Sequence, residues 1–425
     1  MPPTLGDGVL GALRLAQTGR VLATSGLDWL RDGRPAPPRF LRRTCERLGA
    51  TYIKLGQFVA SSPSLFPAEY VTEFEACLDR TEPLPFRTVE RVMRRELGSR
   101  LSNIYREIDT TPLASASIAQ VHAARLVSGE EVVVKVQKPG VEMILNTDLT
   151  VLHTGSRILE TLAPGLSPGA LSDLVEELQS AMADECDFRL EAAHLTEFRH
   201  YLAASDNEGA VAPKVYPRGS TRRVLTMERL HGAPLTDLDA VRRVSDNPEE
   251  TLIHAMNTWA GSLMHCEVFH ADVHAGNLLI LDDGRVGFID FGIVGRIQAE
   301  TWLAMTALMN ALSTRDYHAL AGAMIALGAT ARQVDQARLA ADLRTLGGQL
   351  KDLDAEHMEQ DTQRLLIELT EVGKRHGVRF PRAFTLLLKQ FLYFDRYVRL
   401  LAPELQPWLD ERVRLGKQGD GLPGL

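Results

Sequence analysis

The stretch that decides the fold is His270-Ala271-Asp272-Val273-His274-Ala275-Gly276-Asn277, followed after one hairpin by Asp290-Phe291-Gly292. It has the pattern H-x-D-x-x-x-x-N, then an apolar strand, the turn Asp282-Asp283-Gly284 and a second strand, Arg285–Ile289, that ends at D-F-G. Kinase-type sites use this order, because one carboxylate must lie near the attacking hydroxyl while an amide and a second carboxylate hold Mg²⁺. Each motif alone arises by chance, whereas the ordered set on one hairpin is specific.

The overall composition predicts an ordinary globular protein of about two or three domains. The chain has 425 residues, of which 45% are hydrophobic and 24% charged, and its net charge of −8 argues against a general nucleic-acid binder. Its four cysteines, Cys45, Cys77, Cys186 and Cys266, are scattered without a C-x-x-C pair. This spacing is typical of a reduced, intracellular protein and indicates neither a disulfide framework nor a zinc site.

No apolar stretch reaches the ~18 residues of a membrane-spanning helix, and the N-terminus lacks the pattern of a signal peptide. The best candidate runs from Ala383 to Leu388 and is interrupted by Lys389. We therefore expect a buried amphipathic helix there. We also expect a cytoplasmic protein, either free or peripheral to a membrane.

Residues 1–50 are predicted to form a basic helical segment. Arg14 and Arg20 lie beside a loose apolar stripe, and Arg34-Pro35-Ala36-Pro37-Pro38 marks a break. A basic amphipathic helix can lie on a membrane surface. A packing helix with a solvated basic face explains the same pattern and is the preferred interpretation, so membrane contact stays an open alternative.

Residues 51–110 are predicted to be a helical extension that contains Lys54-Leu55-Gly56-Gln57. Lys54 and Gln57 are at positions i and i+3 and therefore share a helix face. From the residues alone, a solvated helix face accounts for both. Helices are also expected from Pro67 to Leu78 and from Phe86 to Leu97.

A nucleotide-binding half is predicted from residue 111 to residue 230. The loop from Ala114 to Val121 fits the kinase pattern G-x-G-x-x-G-x-V with alanine at every glycine position. The next strand, Glu131 to Val136, presents Lys135 as the lysine that grips the α- and β-phosphates. The loop residues assigned to nucleotide contact are Ala114, Ser115, Ala116, Ser117, Ile118, Ala119 and Val121.

A phosphate-gripping lysine requires a helix glutamate as its partner, and Glu191 is the candidate. Helices are predicted from Leu149 to Leu162 and from Leu171 to Leu202. The second would place Asp187 on the face of Glu191, and Glu185 on another. Surface acids are an equally good interpretation of all three from the helical pattern alone.

The segment Thr221–Gly232 predicts a strand that runs into a glycine-containing connector, at the position of a kinase hinge. Backbone atoms of such a hinge bind adenine, so the carbonyl of Glu228 and the amide of Leu230 are the predicted partners. Because backbone recognition leaves no side-chain pattern, this assignment depends on the order of the elements along the chain.

The predicted fold class is α+β, a protein-kinase-like fold of two lobes with a helical N-terminal extension and a largely helical C-terminal lobe. Residues 231–415 would form the C-terminal lobe, and residues 416–425 a disordered glycine-rich tail. Its helices are expected over Pro248–Cys266, Trp302–Leu312, Tyr317–Leu327, Val334–Leu353, His357–His376 and Pro381–Ala402.

These motifs resemble those of one family, the UbiB/AarF-type atypical kinase-like proteins, which are associated with coenzyme Q biosynthesis. The segments that carry the resemblance are Lys54–Gln57, similar to a K-x-G-Q signature, Ala114–Val121, similar to an alanine-rich loop, Glu185-Cys186-Asp187, similar to E-x-D, and His270–Asn277, similar to H-x-D-P-H-P-G-N. Val273 and Ala275 stand where the family often has prolines. This difference concerns the rigidity of the loop and leaves its chemical groups in place.

The resemblance implies binding of ATP or ADP with Mg²⁺, a slow ATPase activity and suppressed phosphorylation of proteins. By position, Lys135 and Glu191 would be the ion pair, Asp272 the catalytic aspartate, and Asn277 and Asp290 the Mg²⁺ ligands.

The family's N-terminal extension folds over the active site, where its K-x-G-Q and E-x-D motifs meet. The residues that would form this regulatory lid are Lys54, Gln57, Glu185 and Asp187. A lid of this kind would occupy the space where a peptide substrate lies.

The function predicted from all of this is a Mg²⁺-dependent slow ATPase or phosphotransferase that supports quinone or isoprenoid lipid metabolism. Its expected partners are an adenine nucleotide and a lipid or quinone-pathway ligand, and no nucleic acid. A small-molecule phosphotransferase of the aminoglycoside or choline kinase type is the first alternative, which the alanine loop disfavours. A nucleotide-sensing pseudokinase is the second, which the retained lysine, aspartates and asparagine disfavour.

Overall fold

The structure is a computed structural model that describes most of the chain. The described residues are 5–31, 33, 36–60, 66–74, 81–162, 170–245, 247–330, 334–349, 368–369, 371–407 and 410–414. They divide into two compact units. The first lies within residues 1–60, 69–193 and 214–229, and the second within residues 61–68, 194–213 and 230–425.

Helices and strands alternate along the chain, with long helices near both ends and in the middle. The first part contains α1 (Leu5–Arg31), α2 (Pro37–Leu48), α3 (Ala50–Ala60), α4 (Ala68–Phe74), α5 (Phe86–Leu97), α6 (Leu101–Ile104), β1 (Tyr105–Ser115), β2 (Ala119–Leu126), β3 (Glu131–Gln137), α7 (Val141–Leu162), α8 (Ala170–Glu185) and α9 (Phe188–Ala204). The remainder contains β4 (Ala210–Val211), β5 (Val224–Glu228), β6 (Gly232–Pro234), α10 (Leu238–Val244), α11 (Pro248–His265), β7 (Phe269–His270), β8 (Leu278–Leu281), β9 (Val286–Phe288), β10 (Val294–Gly295), α12 (Ala299–Thr314), α13 (Tyr317–Leu327), β11 (Ala329–Thr330), α14 (Gln336–Gln349), β12 (Val378–Arg379) and α15 (Arg382–Leu401).

The first unit is organised around an antiparallel sheet with the strand order β1-β2-β3-β5. Alternate residues of β3 point to the same face, and α5 packs against the face that carries its valines. The cluster formed there includes Val132, Val134, Val136, Val89, Met93 and Leu97. Burying an aliphatic side chain of this size stabilises a fold by about 1.5–3 kcal/mol relative to leaving it exposed.

The sheet begins earlier than the sequence predicts. β1 starts at Tyr105, so the end of the predicted helical extension, up to residue 110, is a strand instead. Tyr105 lies opposite Leu126 in the β1–β2 register, and its hydroxyl is 2.5 Å from Oγ1 of Thr226. Most other side chains of β1 are exposed. Its sequence therefore lacks the apolar alternation by which a half-buried strand is recognised.

The prediction of a single helix from Leu171 to Leu202 is wrong, because α8 ends before Cys186 and α9 begins at Phe188. The carbonyl of Cys186 accepts from a glutamine side chain of β3, and the N–H of Phe188 donates to a carbonyl before β5. The carboxylate of Asp187 accepts from the N–H two residues later. Tertiary partners thus replace the helical hydrogen bonds here. Asp187 therefore does not share a helix face with Glu191.

The second unit contains a sheet with the order β4-β9-β8-β6, in which β4 and β9 are parallel and the other pairs antiparallel. The predicted hairpin that delivers D-F-G is confirmed as β8 and β9, although its second strand is shorter than predicted. Gly284 closes its turn at φ +84°, a conformation that glycine adopts without a steric penalty. β7 pairs with β10, which places His270 opposite Val294.

The other helix predictions hold in the described residues, with changes at the ends. α7 begins earlier than Leu149, α12 extends the predicted helix at both ends, and α14 covers most of the predicted Val334–Leu353. The end of the predicted helix Pro67–Leu78, most of His357–His376 and the predicted tail lie outside the described residues. Within the described part of the chain, no helix is long and apolar enough to cross a membrane.

Candidate active site

The predicted nucleotide loop connects β1 to β2 as a tight turn in the first unit. Ala114 and Val121 lie opposite each other in the strand register. The N–H of Ala116 donates to the carbonyl of Ala119 at 2.8 Å. The other loop residues of the prediction, Ser115, Ser117 and Ile118, lie at the end of β1 and in this turn. The structure thus brings the predicted loop residues together, and their contact with a nucleotide stays a prediction.

A segment of the N-terminal extension anchors this loop, which the sequence motifs did not reveal. Thr81 donates from its N–H to the carbonyl of Ser115 at 3.1 Å and from its hydroxyl to the carbonyl of Ala116 at 2.7 Å. The side chain of Gln120, wholly buried, accepts from the N–H of Leu84 at 2.9 Å and donates to its carbonyl at 3.2 Å. The conformation of the loop is therefore fixed from outside the sheet.

Lys135 and Glu191 form the predicted ion pair within the first unit. Nζ of Lys135 lies 3.0 Å from each carboxylate oxygen of Glu191, and the two side chains are only 11% and 4% exposed. The lysine comes from β3, and the glutamate from the first turn of α9. Nζ also lies 5.6 Å from the centroid of the Phe188 ring. The ammonium is therefore held in one place, as a phosphate-binding group requires.

The K-x-G-Q helix contacts one of the two acids expected of it. Nζ of Lys54 in α3 lies 2.7 Å from Oε2 of Glu185 at the end of α8, and Gln57 follows Lys54 on the same helix. Asp187 has other partners, since it accepts hydrogen bonds from Arg189 at 2.6 and 2.9 Å. The hydrogen bond from Arg189 holds the pKa of Asp187 below its usual value.

The predicted hinge lies where the chain leaves the first unit. Glu228 is the last residue of β5, lies opposite Val132 and donates its N–H to the carbonyl of Lys214 at 2.8 Å. The division between the units falls between Arg229 and Leu230. Adenine binding by the backbone of Glu228 and Leu230 stays a prediction.

In the second unit, His270 fastens the H-x-D loop to the D-F-G segment. The N–H of Asp272 donates to Nδ1 of His270 at 3.2 Å, which leaves the ring proton on Nε2 for the carbonyl of Ile289 at 2.9 Å. Burial lowers the pKa of His270, so the ring is neutral at physiological pH. Its ring centroid is 4.5 Å from that of Phe291. His270 therefore links the H-x-D loop and the D-F-G segment through two hydrogen bonds and a ring contact.

Asp272 has a cation at its carboxylate that was not among the predicted site residues. Nζ of Lys389, on α15, lies 3.2 Å from Oδ1 of Asp272, and Nε2 of His274 lies 3.7 Å from Oδ2. Burial opposes ionisation of Asp272, but the neighbouring groups, of which Lys389 contributes most, together outweigh it and lower the pKa below its ordinary value. The sequence showed Lys389 only as a charge that interrupts an apolar run. No local spacing could link it to a loop so distant along the chain.

Asn277 and Asp290, the predicted Mg²⁺ ligands, are brought near each other by backbone hydrogen bonds. The amide nitrogen of Asn277 donates to the carbonyl of Asp272 at 2.9 Å, which leaves the amide oxygen as its ligand atom. The N–H of Ile289 donates to the carbonyl of Asn277 at 3.0 Å. Because Ile289 precedes Asp290, this bond brings Asp290 near Asn277. Asp290 has a left-handed φ of +59°, a strained conformation that is common at functional sites.

The oxygen atoms of Asn277 and Asp290 suit Mg²⁺ better than a metal whose ligands all come from the protein. In the part of the chain that the structure describes, no group of three or more His, Cys, Asp or Glu could hold a metal ion. Mg²⁺ is usually bound through one or two carboxylates together with substrate phosphates and water. One carboxylate and one amide oxygen are therefore a sufficient protein contribution.

Comparisons with known proteins point to one family. Residues 76–324 match the model of the ABC1 atypical kinase-like domain. The chain is 45% identical, over 97% of its length and 84% of the relative's, to an uncharacterised chloroplastic aarF domain-containing protein kinase of Arabidopsis thaliana. It is 37% identical to an uncharacterised protein of Mycobacterium tuberculosis, over 88% of this chain and 76% of that one.

Two further similarities are to a relative named UbiB and to a solved structure. The chain is 30% identical to the probable protein kinase UbiB of Azotobacter vinelandii, over 89% of its length and 71% of the relative's. The solved complex of Rv3197 with erythromycin from Mycobacterium tuberculosis superposes with a TM-score of 0.53 at 24% identity, over 84% of this chain and 93% of that one. The predicted α+β, kinase-like fold class is confirmed. The chain therefore belongs to the ABC1 atypical kinase-like family, as its resemblance to UbiB and AarF proteins predicted.

Proposed function

We propose that this protein binds ATP or ADP with Mg²⁺ and acts as a slow ATPase or phosphotransferase. The observation that carries the proposal is the buried contact between Lys135 and Glu191, 3.0 Å from nitrogen to each oxygen. A lysine and a glutamate on separate elements are rarely buried together without a reason, because removing two charges from water costs several kcal/mol per ion. A phosphate ligand for the lysine supplies that reason.

The first unit supplies the groups for nucleotide phosphates in this proposal. Lys135 contacts the α- and β-phosphates, and Glu191 keeps its ammonium in position. The alanine loop lies over the phosphates, with the hydroxyls of Ser115 and Ser117 as further donors. Each alanine adds a methyl group where a kinase loop has bare backbone, and this limits how closely the loop amides can approach the phosphates.

The second unit supplies the groups for transfer. Asp272 orients the attacking hydroxyl or water and accepts its proton, for which its carboxylate must be ionised. Asn277 and Asp290 hold Mg²⁺, which when bound neutralises charge on the phosphate oxygens. His270 keeps Asp272 and Asp290 on one rigid segment through its contacts at both ring nitrogens.

The lid is the part of the proposal that concerns substrates. Lys54, Gln57, Glu185 and Asp187 are proposed to restrict access to proteins as phosphoryl acceptors. The 2.7 Å contact between Lys54 and Glu185 supports a lid that is closed at this point. Asp187 would contribute through Arg189 and not through Lys54.

The role in quinone or isoprenoid lipid metabolism rests on the similarity to the probable protein kinase UbiB. Peripheral membrane contact is the weaker element of the proposal, because arginines of the basic N-terminal segment are engaged within the first unit. Their ion pairs are Arg14 with Asp148, Arg42 with Glu46 and Glu73, and Arg47 with Asp28. A quinone profile of a deletion strain tests the pathway, and unchanged quinones in that strain would contradict it.

The catalytic part is tested by separating binding from turnover. Asp272→Asn should retain affinity for Mg-ATP in a calorimetric titration and should lose ATP hydrolysis, because the proton acceptor is removed while the proposed nucleotide-binding groups remain. Asp282→Asn, an exposed aspartate in the β8–β9 turn, is the matched control and should hydrolyse ATP like the wild type. Equal hydrolysis by the Asp272→Asn and wild-type proteins would exclude Asp272 from the reaction.

A further inference from the structure

A lysine from a helix far along the chain forms an ion pair with the carboxylate of Asp272. Lys389 of α15 donates from Nζ to Oδ1 of Asp272 at 3.2 Å, across 117 positions of the chain. The side chain of Lys389 is 28% exposed and that of Asp272 is 17% exposed. A ligand can reach a pair that opens to solvent in this way, whereas a pair sealed in a core is out of reach.

The residue after Lys389 fixes its position relative to the loop. The side-chain amide of Gln390, wholly buried, donates to the carbonyl of Ala271 at 2.7 Å and accepts from the N–H of Val273 at 2.8 Å. These are the backbone groups on either side of Asp272. A shift of α15 by one residue would break both hydrogen bonds, so the register of the helix places Lys389 on Asp272.

The docking of α15 on this loop does not depend on the charge of Lys389. Gln390 supplies two uncharged hydrogen bonds, and the hydroxyl of Tyr397 donates to the carbonyl of Val273 at 3.0 Å. With a neutral side chain at position 389, α15 would therefore still pack against the loop in the same register. The positive charge at this place needs another explanation.

The ammonium of Lys389 has capacity for a third partner. Lysine offers three N–H donors. Among the contacts of the described residues, the carboxylate of Asp272 takes one donor and the side chain of Tyr393 takes another, with its ring centroid 5.4 Å from Nζ. The third donor is available for an oxygen atom of a ligand at Asp272.

We propose that Lys389 is a catalytic cation that contacts the transferred phosphoryl group while it holds Asp272 in place. This inference rests on the proposed function. During transfer, charge is spread over the three equatorial oxygens, and fixed positive groups stabilise it. The bond from phosphorus to the leaving oxygen breaks, and its electron pair stays with the nucleoside diphosphate. The bond to the acceptor oxygen forms, and the acceptor's proton passes to Asp272. Lys389 remains an ammonium throughout.

Three variants of the full-length protein test this role through Mg-ATP hydrolysis. Lys389→Gln keeps a hydrogen-bond donor but removes the charge, Lys389→Arg keeps both, and Arg396→Gln removes an exposed charge from the same helix. A cation that acts mainly in the transition state should affect kcat more than KM. We expect Lys389→Gln to lower kcat about 100-fold, with KM for Mg-ATP changed by less than about threefold. Lys389→Arg should recover at least about a tenth of the wild-type kcat, and Arg396→Gln should match the wild type.

Each other outcome overturns the inference. A kcat of Lys389→Gln within about threefold of wild type, or a raised KM with unchanged kcat, would show that the charge does not act in the transition state. A Lys389→Gln protein without a cooperative unfolding transition would show that the charge is needed for folding and not for catalysis. Equal losses of kcat in Lys389→Arg and Lys389→Gln would exclude a role of charge. A wild type that binds Mg-ATP but never turns it over would defeat the proposed catalysis itself, and this inference with it.

Discussion

At the scale of single residues, the buried contact of Lys135 with Glu191 predicts a large and specific loss of stability. Lys135→Met leaves the buried carboxylate of Glu191 facing a neutral side chain, and we expect the free energy of unfolding to fall by about 3–5 kcal/mol. Adding Glu191→Gln should recover part of this loss, because the buried negative charge is gone. Urea denaturation measures both variants, with exposed Lys214→Met as the control. Losses that simply add in the double variant would contradict a coupled pair.

A second residue-scale prediction concerns pH. His122 is wholly buried, and burial lowers its pKa. The unfolded chain binds a proton near pH ~6.5 while the folded chain does not, so stability falls as pH decreases below that value. The loss is at most about 1.4 kcal/mol per pH unit for this histidine.

His122→Gln tests this, because glutamine can keep the hydrogen bonds to the carbonyl of Asp109 and to Gln120 without titrating. Urea denaturation at pH 7.5 and pH 5.5 should show a smaller difference in stability for His122→Gln than for the wild type. The same difference in both proteins would assign the acid sensitivity to other groups.

The residue scale also shows which parts of the site could be predicted from sequence. Asp272, Asn277 and Asp290 could be proposed as site residues because their spacing is local, within and next to one hairpin. Lys135 could be proposed because it follows the loop in a strand. Lys389 could not, since its relation to Asp272 exists only after α15 has packed on the loop.

At the scale of elements, one buried amide makes two of the hydrogen bonds that dock α15 on the H-x-D loop. Gln390→Met has a similar volume but leaves the carbonyl of Ala271 and the N–H of Val273 without their partner. Each unsatisfied buried group costs about 1–3 kcal/mol, so we expect a loss of at least about 2 kcal/mol in unfolding free energy. Exposed Arg396→Met on the same helix should change stability by less than about 0.5 kcal/mol. A Gln390→Met protein as stable as the wild type would show that the docking of α15 does not depend on this amide.

Elements were predicted well where their periodicity is local, and poorly where other elements take over their hydrogen bonds. The helical pattern from Leu171 to Leu202 continues through Cys186 and Asp187, yet the helix breaks there because tertiary partners take the backbone groups. β1 was partly missed because most of its side chains are exposed. The hairpin of β8 and β9 was predicted because apolar strands flank a turn that requires Gly284.

At the scale of the whole molecule, the chain passes between its two units more than once. The second unit includes residues 194–213, which supply β4 as the parallel neighbour of β9 and Phe198 as a contact of Phe288 and Phe291. A cut at the predicted hinge therefore removes part of the core of the second unit. The order of motifs predicted two lobes, but it could not show this interleaving of segments.

This arrangement predicts that residues 230–425 do not fold alone. Expressed as a fragment, they should lack a cooperative thermal transition by circular dichroism. A fragment of residues 194–425 keeps β4 and Phe198 and should recover at least part of that transition. Cooperative unfolding of the shorter fragment would contradict the division of the chain described above.

The central proposal, that this protein binds Mg-nucleotide with Asp290 as a metal ligand, is tested most directly by thermal unfolding in the presence of Mg-ATP. At a nucleotide concentration of about 100 times Kd, binding to the folded state should add about 2.7 kcal/mol of stability and raise Tm accordingly. The Asp290→Asn variant should lose the part of this shift that depends on Mg²⁺, and Asp282→Asn should keep it. A wild-type melting curve that millimolar Mg-ATP leaves unchanged would contradict the account.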